Sequence, residues 1–171
     1  MPSSQRSRIT AATDFVYGRM RHAAAWSSAT AEPLPPERGF ESLHAYKYCL
    51  LTTFRTSGEP VPTPVWFGLA DGRVYVRTEA TVGKVKRIRN NPRVRVAPCT
   101  LRGRPFGPPA EGRARVLGPE DSERAERAIA ANYGLARRLY EAIGQRFSSI
   151  DQVYLEIAPL APAEVARADA A

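Results

Sequence analysis

Residues 74–96 read VYVRTEATVGKVKRIRNNPRVRV, and three different periods follow one another within them. Val74 to Thr78 is a β-branched and aromatic run that reads as a strand. From Thr81 the pattern turns helical: Val85 and Ile88 lie three residues apart and face inward, Thr81 is the expected N-cap, and Asn90-Asn91-Pro92 stops the helix. Arg93-Val94-Arg95-Val96 then alternates charged and apolar residues with period two, the pattern of a strand with one wet face.

Working upstream, Ala70-Asp71-Gly72-Arg73 is a tight hairpin turn, because Asp-Gly tolerates the positive φ that such turns require. Pro60 to Leu69 reads as the strand before it. Its prolines at 60, 62 and 64 alternate, so every missing N–H lies on one side, and that side cannot pair with a full ladder. Tyr46 to Phe54 is a further strand, closed by Ser57-Gly58, and the three strands are expected to form a meander. Glu37 to Ala45 suits a short helix.

Downstream, Leu101 to Pro109 is a Gly/Pro-rich loop, and Glu111 to Leu117 a fifth strand. Glu120–Asn132 and Leu135–Phe147 read as two helices, the second with Leu135, Leu139, Ile143 and Phe147 along one stripe. Asp151 to Ala158 is a sixth strand with Val153, Leu155 and Ile157 inward. The expectation is a mainly β, α+β domain over residues 37–162, a six-stranded antiparallel barrel with flanking helices, followed by a tail at 163–171. Residues 1–36 end in Pro33-Leu34-Pro35-Pro36 and read as an extension, mobile or partly helical, with Phe15, Val16, Met20, Ala23 and Ala24 on one face of Thr13–Trp26. Its removal is expected to leave the barrel folded.

The 171 residues, 43% of them hydrophobic, suffice for one domain with a proper core. The two cysteines, Cys49 and Cys99, rule out a disulfide framework and offer neither a C-x-x-C pair nor a zinc-ligand spacing, which fits a reducing cytoplasm. No apolar run is long enough to span a bilayer, and Arg6, Arg8, Asp14, Arg19 and Arg21 break any signal-peptide core, so neither export nor a membrane partner is expected. The net charge of +8 is uneven: residues 41–118 carry 14 Lys/Arg against 5 Asp/Glu, and residues 119–171 carry 6 against 9. Lys84, Lys86, Arg87, Arg89, Arg93 and Arg95 stand in twelve residues without an acid. Such a cluster seeks phosphate or carboxylate.

A helix N-terminus presents unpaired N–H groups and a partial positive charge, so an anion there gains hydrogen bonds and field together. Lys84 in the first turn adds a full charge, Thr78 a hydroxyl, and Lys86 or Arg87 can reach the same anion. The same cations also fit a solvated face, and physics alone does not choose between the two.

Tyr75-Val76-Arg77-Thr78, followed by Gly83-Lys84 and by Ile88-Arg89-Asn90-Asn91-Pro92-Arg93-Val94, resembles the core motif of the pyridoxamine-phosphate-oxidase-like split β-barrel superfamily. The Thr six residues before the Lys, and the Lys eight before the Pro, match Thr78 and Lys84, both implied contacts of a cofactor phosphate. Cys49 to Phe54, Gly58-Glu59-Pro60 and Pro62 to Phe67 extend the likeness towards the actinobacterial branch that uses the deazaflavin coenzyme F420. Gln152 to Pro159 completes it. The resemblance implies an FMN-binding split barrel, a homodimer with the cofactor at the subunit interface, and cofactor contacts at Pro64, Val65, Trp66, Arg77, Thr78, Gly83, Lys84, Lys86 and Arg87.

Two departures bear on the cofactor. The oxidase's Ser-Arg pair before the Lys is replaced by Val82-Gly83, and the Arg opening its second-strand motif by Thr63, so two FMN-phosphate contacts are missing. F420 is therefore expected over FMN, its lactyl-phosphate and polyglutamate tail suiting Lys86, Arg87 and Arg89. The function implied is hydride transfer between reduced F420 and an unsaturated small-molecule acceptor. The alternatives are an FMN oxidoreductase of the same fold, or a flavin- or deazaflavin-binding protein without turnover.

No catalytic residue is named, because such a cofactor carries the hydride chemistry itself. His22 and His44 lie outside the motif, Glu79 stands alone beside it, and G-x-S-x-G and clustered His/Cys are absent, which removes serine-hydrolase and metal-site readings. A nucleic-acid partner is not expected, since the basic run lacks the aromatic-rich Gly motifs of an RNA-binding sheet. Trp66 is read as a ring contact, with its backbone and that of Val65 against the isoalloxazine, Tyr75 as core or interface, and Cys99 as a small hydrophobe near the barrel end.

Overall fold

The structure, a computed structural model, describes residues 23–144 and 151–161, with backbone alone for 134–144. Seven strands, β1 (Tyr48–Phe54), β2 (Pro60–Trp66), β3 (Gly68–Ala70), β4 (Arg73–Glu79), β5 (Arg93–Cys99), β6 (Ala110–Val116) and β7 (Gln152–Pro159), form one antiparallel sheet in the order β2-β1-β5-β6-β7-β4-β3. β2 and β3 lie at opposite ends of that order, yet only Phe67 separates them in sequence. The sheet must therefore curl until its two edges meet, which makes it a barrel.

The strand count is seven rather than the expected six, because Pro60–Leu69 is not one strand. The Phe67 N–H donates to Tyr133 Oη at 3.0 Å, and its carbonyl accepts from Asn132 Nδ2 at 2.9 Å. Both polar groups of that peptide go to a helix instead of a ladder, so pairing with β1 ends at Trp66 and pairing with β4 begins at Gly68. The helix backbone rests directly on Gly68: a Cβ there would stand 2.3 Å from Ala128 C and Ile129 N. The three-strand meander is corrected with it, since β4 pairs with β3 and β7 and β2 pairs with β1. The expected hairpin turn is present, with Asp71 at φ 51° and Gly72 at φ 69° joining Ala70 to Arg73.

Among the described residues three α-helices flank the sheet: α1 (Ala24–Thr30), α2 (Gly83–Asn90) and α3 (Ser122–Gly144). α3 joins the two expected helices, running without a break from the first into the second as far as Gly144, while the stripe Leu135, Leu139, Ile143 and Phe147 lies outside the described side chains. Two short 3₁₀ turns, Pro36–Arg38 and Glu41–Leu43, stand where one helix over 37–45 was expected. β5 runs three residues past Val96, through Pro98. Its ladder with β6 stops at Val96↔Ala110, so the proline costs no bond on that side.

The barrel interior holds Leu51, Val74, Val76, Val85, Ile88, Val94, Val96, Leu155 and Ile157. Val94 and Val96 point in while Arg93 and Arg95 point out, as the alternation requires. Beyond β1 and β5, Ala25 of α1 packs with Leu50, Ala97 and Cys99. Ala29 is buried too, and the carbonyls of Ala29 and Ala31 accept from Arg95 NH1 at 2.9 and 3.2 Å. Deleting residues 1–36 is therefore expected to destabilise the barrel by on the order of 2 kcal/mol, the worth of re-exposing one large apolar side chain. A thermal melt of the truncated chain identical to that of the full chain would refute this and restore the tolerance expected from sequence.

Candidate functional site

Continuing the β3–β4 register past Gly68↔Tyr75 would set Trp66 opposite Arg77 and Val65 opposite Thr78. The ladder does not continue, because β2 pairs with β1 alone, although β2 and β4 come into contact. The two strands thus leave a seam between edges whose backbone groups no ladder uses. Prolines 60, 62 and 64 explain which edge of β2 is open: having no N–H to give, they must face away from β1.

α2 lies beside this seam. Its N-cap is Val82 in extended conformation (ψ 154°), not Thr81, and no side chain caps it. The N-cap side chain thus takes none of the first-turn N–H groups, of which that of Val85 donates to the Val82 carbonyl at 3.1 Å. Val85 and Ile88 anchor the helix in the core. Lys84 and Arg87, three residues apart, share a different face. Lys84 Nζ donates to Thr78 Oγ1 of β4 at 3.1 Å. Arg87 Nε donates to Thr53 Oγ1 of β1 at 2.7 Å. The Arg87 guanidinium also lies over Gly83, where a Cβ would meet NH1 at 2.8 Å. A side chain at 83 would occupy the space this guanidinium fills.

The structure thus brings together Thr78, Gly83, Lys84 and Arg87, and places Pro64, Val65, Trp66 and Arg77 on the two edges of the seam. Val65 points into the core. The Trp66 indole is stacked on Tyr133 (centroids 4.8 Å apart, 17°) with Tyr48 edge-on at 6.2 Å, so one of its faces is already covered. Arg77 NH1 is 3.9 Å from Glu126. Lys86 is exposed on the outer side of α2, away from the Lys84–Arg87 pair. Sequence reasoning missed Thr53; nothing local distinguishes it from its neighbour Thr52 in the same strand.

The basic run of residues 84–95 is divided in the folded chain. Arg93 NH2 bonds both carboxylate oxygens of Glu111 at 2.9 and 2.8 Å, and Arg95 Nε bonds Oε1 at 3.1 Å. Glu111 is buried, so the acid missing from the run arrives from β6. Tyr75 is wholly buried, its hydroxyl donating to Glu156 at 3.2 Å. Cys99 is buried as well, and that burial pushes its thiol up to about 12, so it stays protonated at neutral pH. Among the described residues no group of three His, Cys, Asp or Glu is placed to hold a metal ion, and no helix is long and apolar enough to cross a membrane.

The family described as pyridoxamine 5'-phosphate oxidase matches residues 19–161. Solved structures share the fold. A FAD-binding protein of Mesorhizobium loti is 18% identical over 75% of this chain and 90% of its own, with TM-score 0.53. A conserved hypothetical protein of Mycobacterium tuberculosis is 18% identical over 82% and 86%, with TM-score 0.51. HutZ, the heme storage protein of Vibrio cholerae, is 19% identical over 76% and 92%, with TM-score 0.51. No curated protein matches the chain.

Proposed function

The chain belongs to the pyridoxamine 5'-phosphate oxidase family, and on that premise we propose that it is a cytoplasmic oxidoreductase passing a hydride between reduced F420 and an unsaturated small-molecule acceptor. The observation that carries the reading is the pair of cations at the N-terminal turn of α2, each tied to a threonine of a different strand, beside the seam between β2 and β4 that no ladder bridges. That donor set suits the phosphate end of a flavin-type cofactor: Lys84, Thr78 and Arg87 supply charge and hydrogen bonds, and the α2 N-terminus adds its field. The edges of β2 and β4, at Pro64 to Trp66 and at Arg77, suit the amide groups of a planar ring. Bound there, the cofactor would supply the hydride chemistry, while the chain binds it, orients it and excludes water.

Lys86 and Arg89, exposed on the outer side of α2, suit the polyglutamate tail of F420. The Arg87 guanidinium over Gly83 favours a second reading, FMN, because it returns a cation to the place where the Ser-Arg pair is missing. Titration of the protein with F420 and with FMN, followed by absorption and fluorescence, is expected to give the lower Kd for F420. Tighter FMN binding would reverse the order, and binding without turnover of any acceptor would make the chain a carrier.

We further propose a homodimer with the cofactor at the subunit interface, since Leu101 and Phe106 are exposed and Trp66 is half-exposed on one protomer. Light scattering at micromolar concentration should give twice the chain mass; a monomer mass would reject it.

A further inference from the structure

Thr53 is wholly buried in β1, and a buried hydroxyl is costly unless it is hydrogen-bonded. Its partner is Arg87 Nε of α2, thirty-four residues along the chain. Packing alone would be served as well by valine, which has the same shape and the stronger preference for a strand. What the hydroxyl adds over valine is its bond to Arg87.

That bond constrains where the guanidinium points. Arginine's donors form a rigid planar fork, so fixing Nε on Thr53 fixes the plane of the whole group. The observed consequence is NH1 lying over Gly83, in the first turn of α2 next to Lys84. Thr78 does the same for Lys84 from β4, across the seam. We infer that Thr53 is a positioning residue, acting through Arg87 to aim its guanidinium at the anionic end of the bound cofactor. The inference rests on the proposed cofactor site and names a residue beyond it. Thr53 touches no ligand itself; it holds the group that does.

The test compares Thr53→Val and Thr53→Ser in the full chain, titrated with FMN and with riboflavin, which shares the ring and ribityl chain but lacks the phosphate. The same comparison is made with F420 and its phosphate-free deazaflavin chromophore. Thr53→Val is expected to weaken the phosphate-bearing ligands about three- to tenfold, less than the roughly ten- to hundredfold worth of a whole hydrogen bond to a charged group because Arg87 stays and only its aim is lost, and to leave the phosphate-free ones unchanged. Thr53→Ser keeps the hydroxyl and is expected to restore most of the loss. Equal weakening of both ligand types would mean that Thr53 merely staples α2 to β1, and would overturn the inference, as would unchanged binding of all ligands. Wild-type protein that binds neither phosphate-bearing cofactor would overturn the reading of the site, and the inference with it.

Discussion

Replacing Arg73 and Arg115 together by alanine is expected to cost about 3–5 kcal/mol of stability, the range for stranding a buried charge by removing its partners. Both guanidiniums bond Glu156 Oε1, Arg73 NH1 at 3.1 Å and Arg115 Nε at 2.8 Å, and the Tyr75 hydroxyl takes the other oxygen. Glu156 is buried while the two arginines are half-exposed, so the asymmetry matters. Removing the acid would leave cations that water can solvate, whereas removing the arginines leaves a carboxylate held between β4 and β6 with the Tyr75 hydroxyl as its remaining direct bond.

The pH dependence should change sign. In the wild type, burial pushes the Glu156 carboxyl up, but the Arg115 hydrogen bond, the Arg115 and Arg73 charges and the Tyr75 hydroxyl together hold it below its usual value. A group with a lowered folded value lends stability above its unfolded value and loses it as pH falls through the folded one. Without Arg73 and Arg115, burial is opposed only by the Tyr75 hydroxyl and the weaker charge of Arg124; the folded value is expected to rise above the unfolded one, and the carboxyl then favours folding at low pH and opposes it as pH rises. Urea melts of the double variant between pH 4 and 7 are expected to show stability falling with pH, and adding Glu156→Gln should flatten that slope. A double variant as stable as the wild type at pH 7 would refute the account.

Lys84→Ala is expected to weaken cofactor binding by about 1.5–3 kcal/mol, roughly ten- to a hundredfold in Kd. The fold should be unaffected, because a cation in the first turn of α2 is opposed by the helix dipole and its removal leaves stability unchanged or slightly raised. The informative comparison is Lys86→Ala titrated with FMN, which has no polyglutamate tail for Lys86 to meet; it removes the same charge from the same helix, but from the exposed side. Arg95, in the same basic run, does not serve, since it holds Glu111 and two carbonyls of the N-terminal segment. Equal losses for Lys84 and Lys86 would mean that the basic stretch acts as a diffuse field, and the placement of the phosphate would fail.

The stretch from Val74 to Val96 carried its own structure, because each of its signals is local: a β-branched run, a helix stopped by Asn91-Pro92, and an alternation of period two. Periodicity likewise placed Val153, Leu155 and Ile157, and Asp71-Gly72 specified its turn without help from elsewhere. The closeness of Thr78 and Lys84 was legible for the same reason, six residues apart across one strand-to-helix loop. What only the tertiary structure decided were contacts between residues far apart in the chain. Phe67 breaks its strand because Asn132 and Tyr133 take its backbone bonds, Arg93 and Arg95 share the one carboxylate of Glu111, and Arg87, lying over Gly83, is bonded to Thr53 of another strand. A backbone hydrogen bond or a buried charge is satisfied by whatever the fold brings near, and composition and periodicity carry no record of that partner.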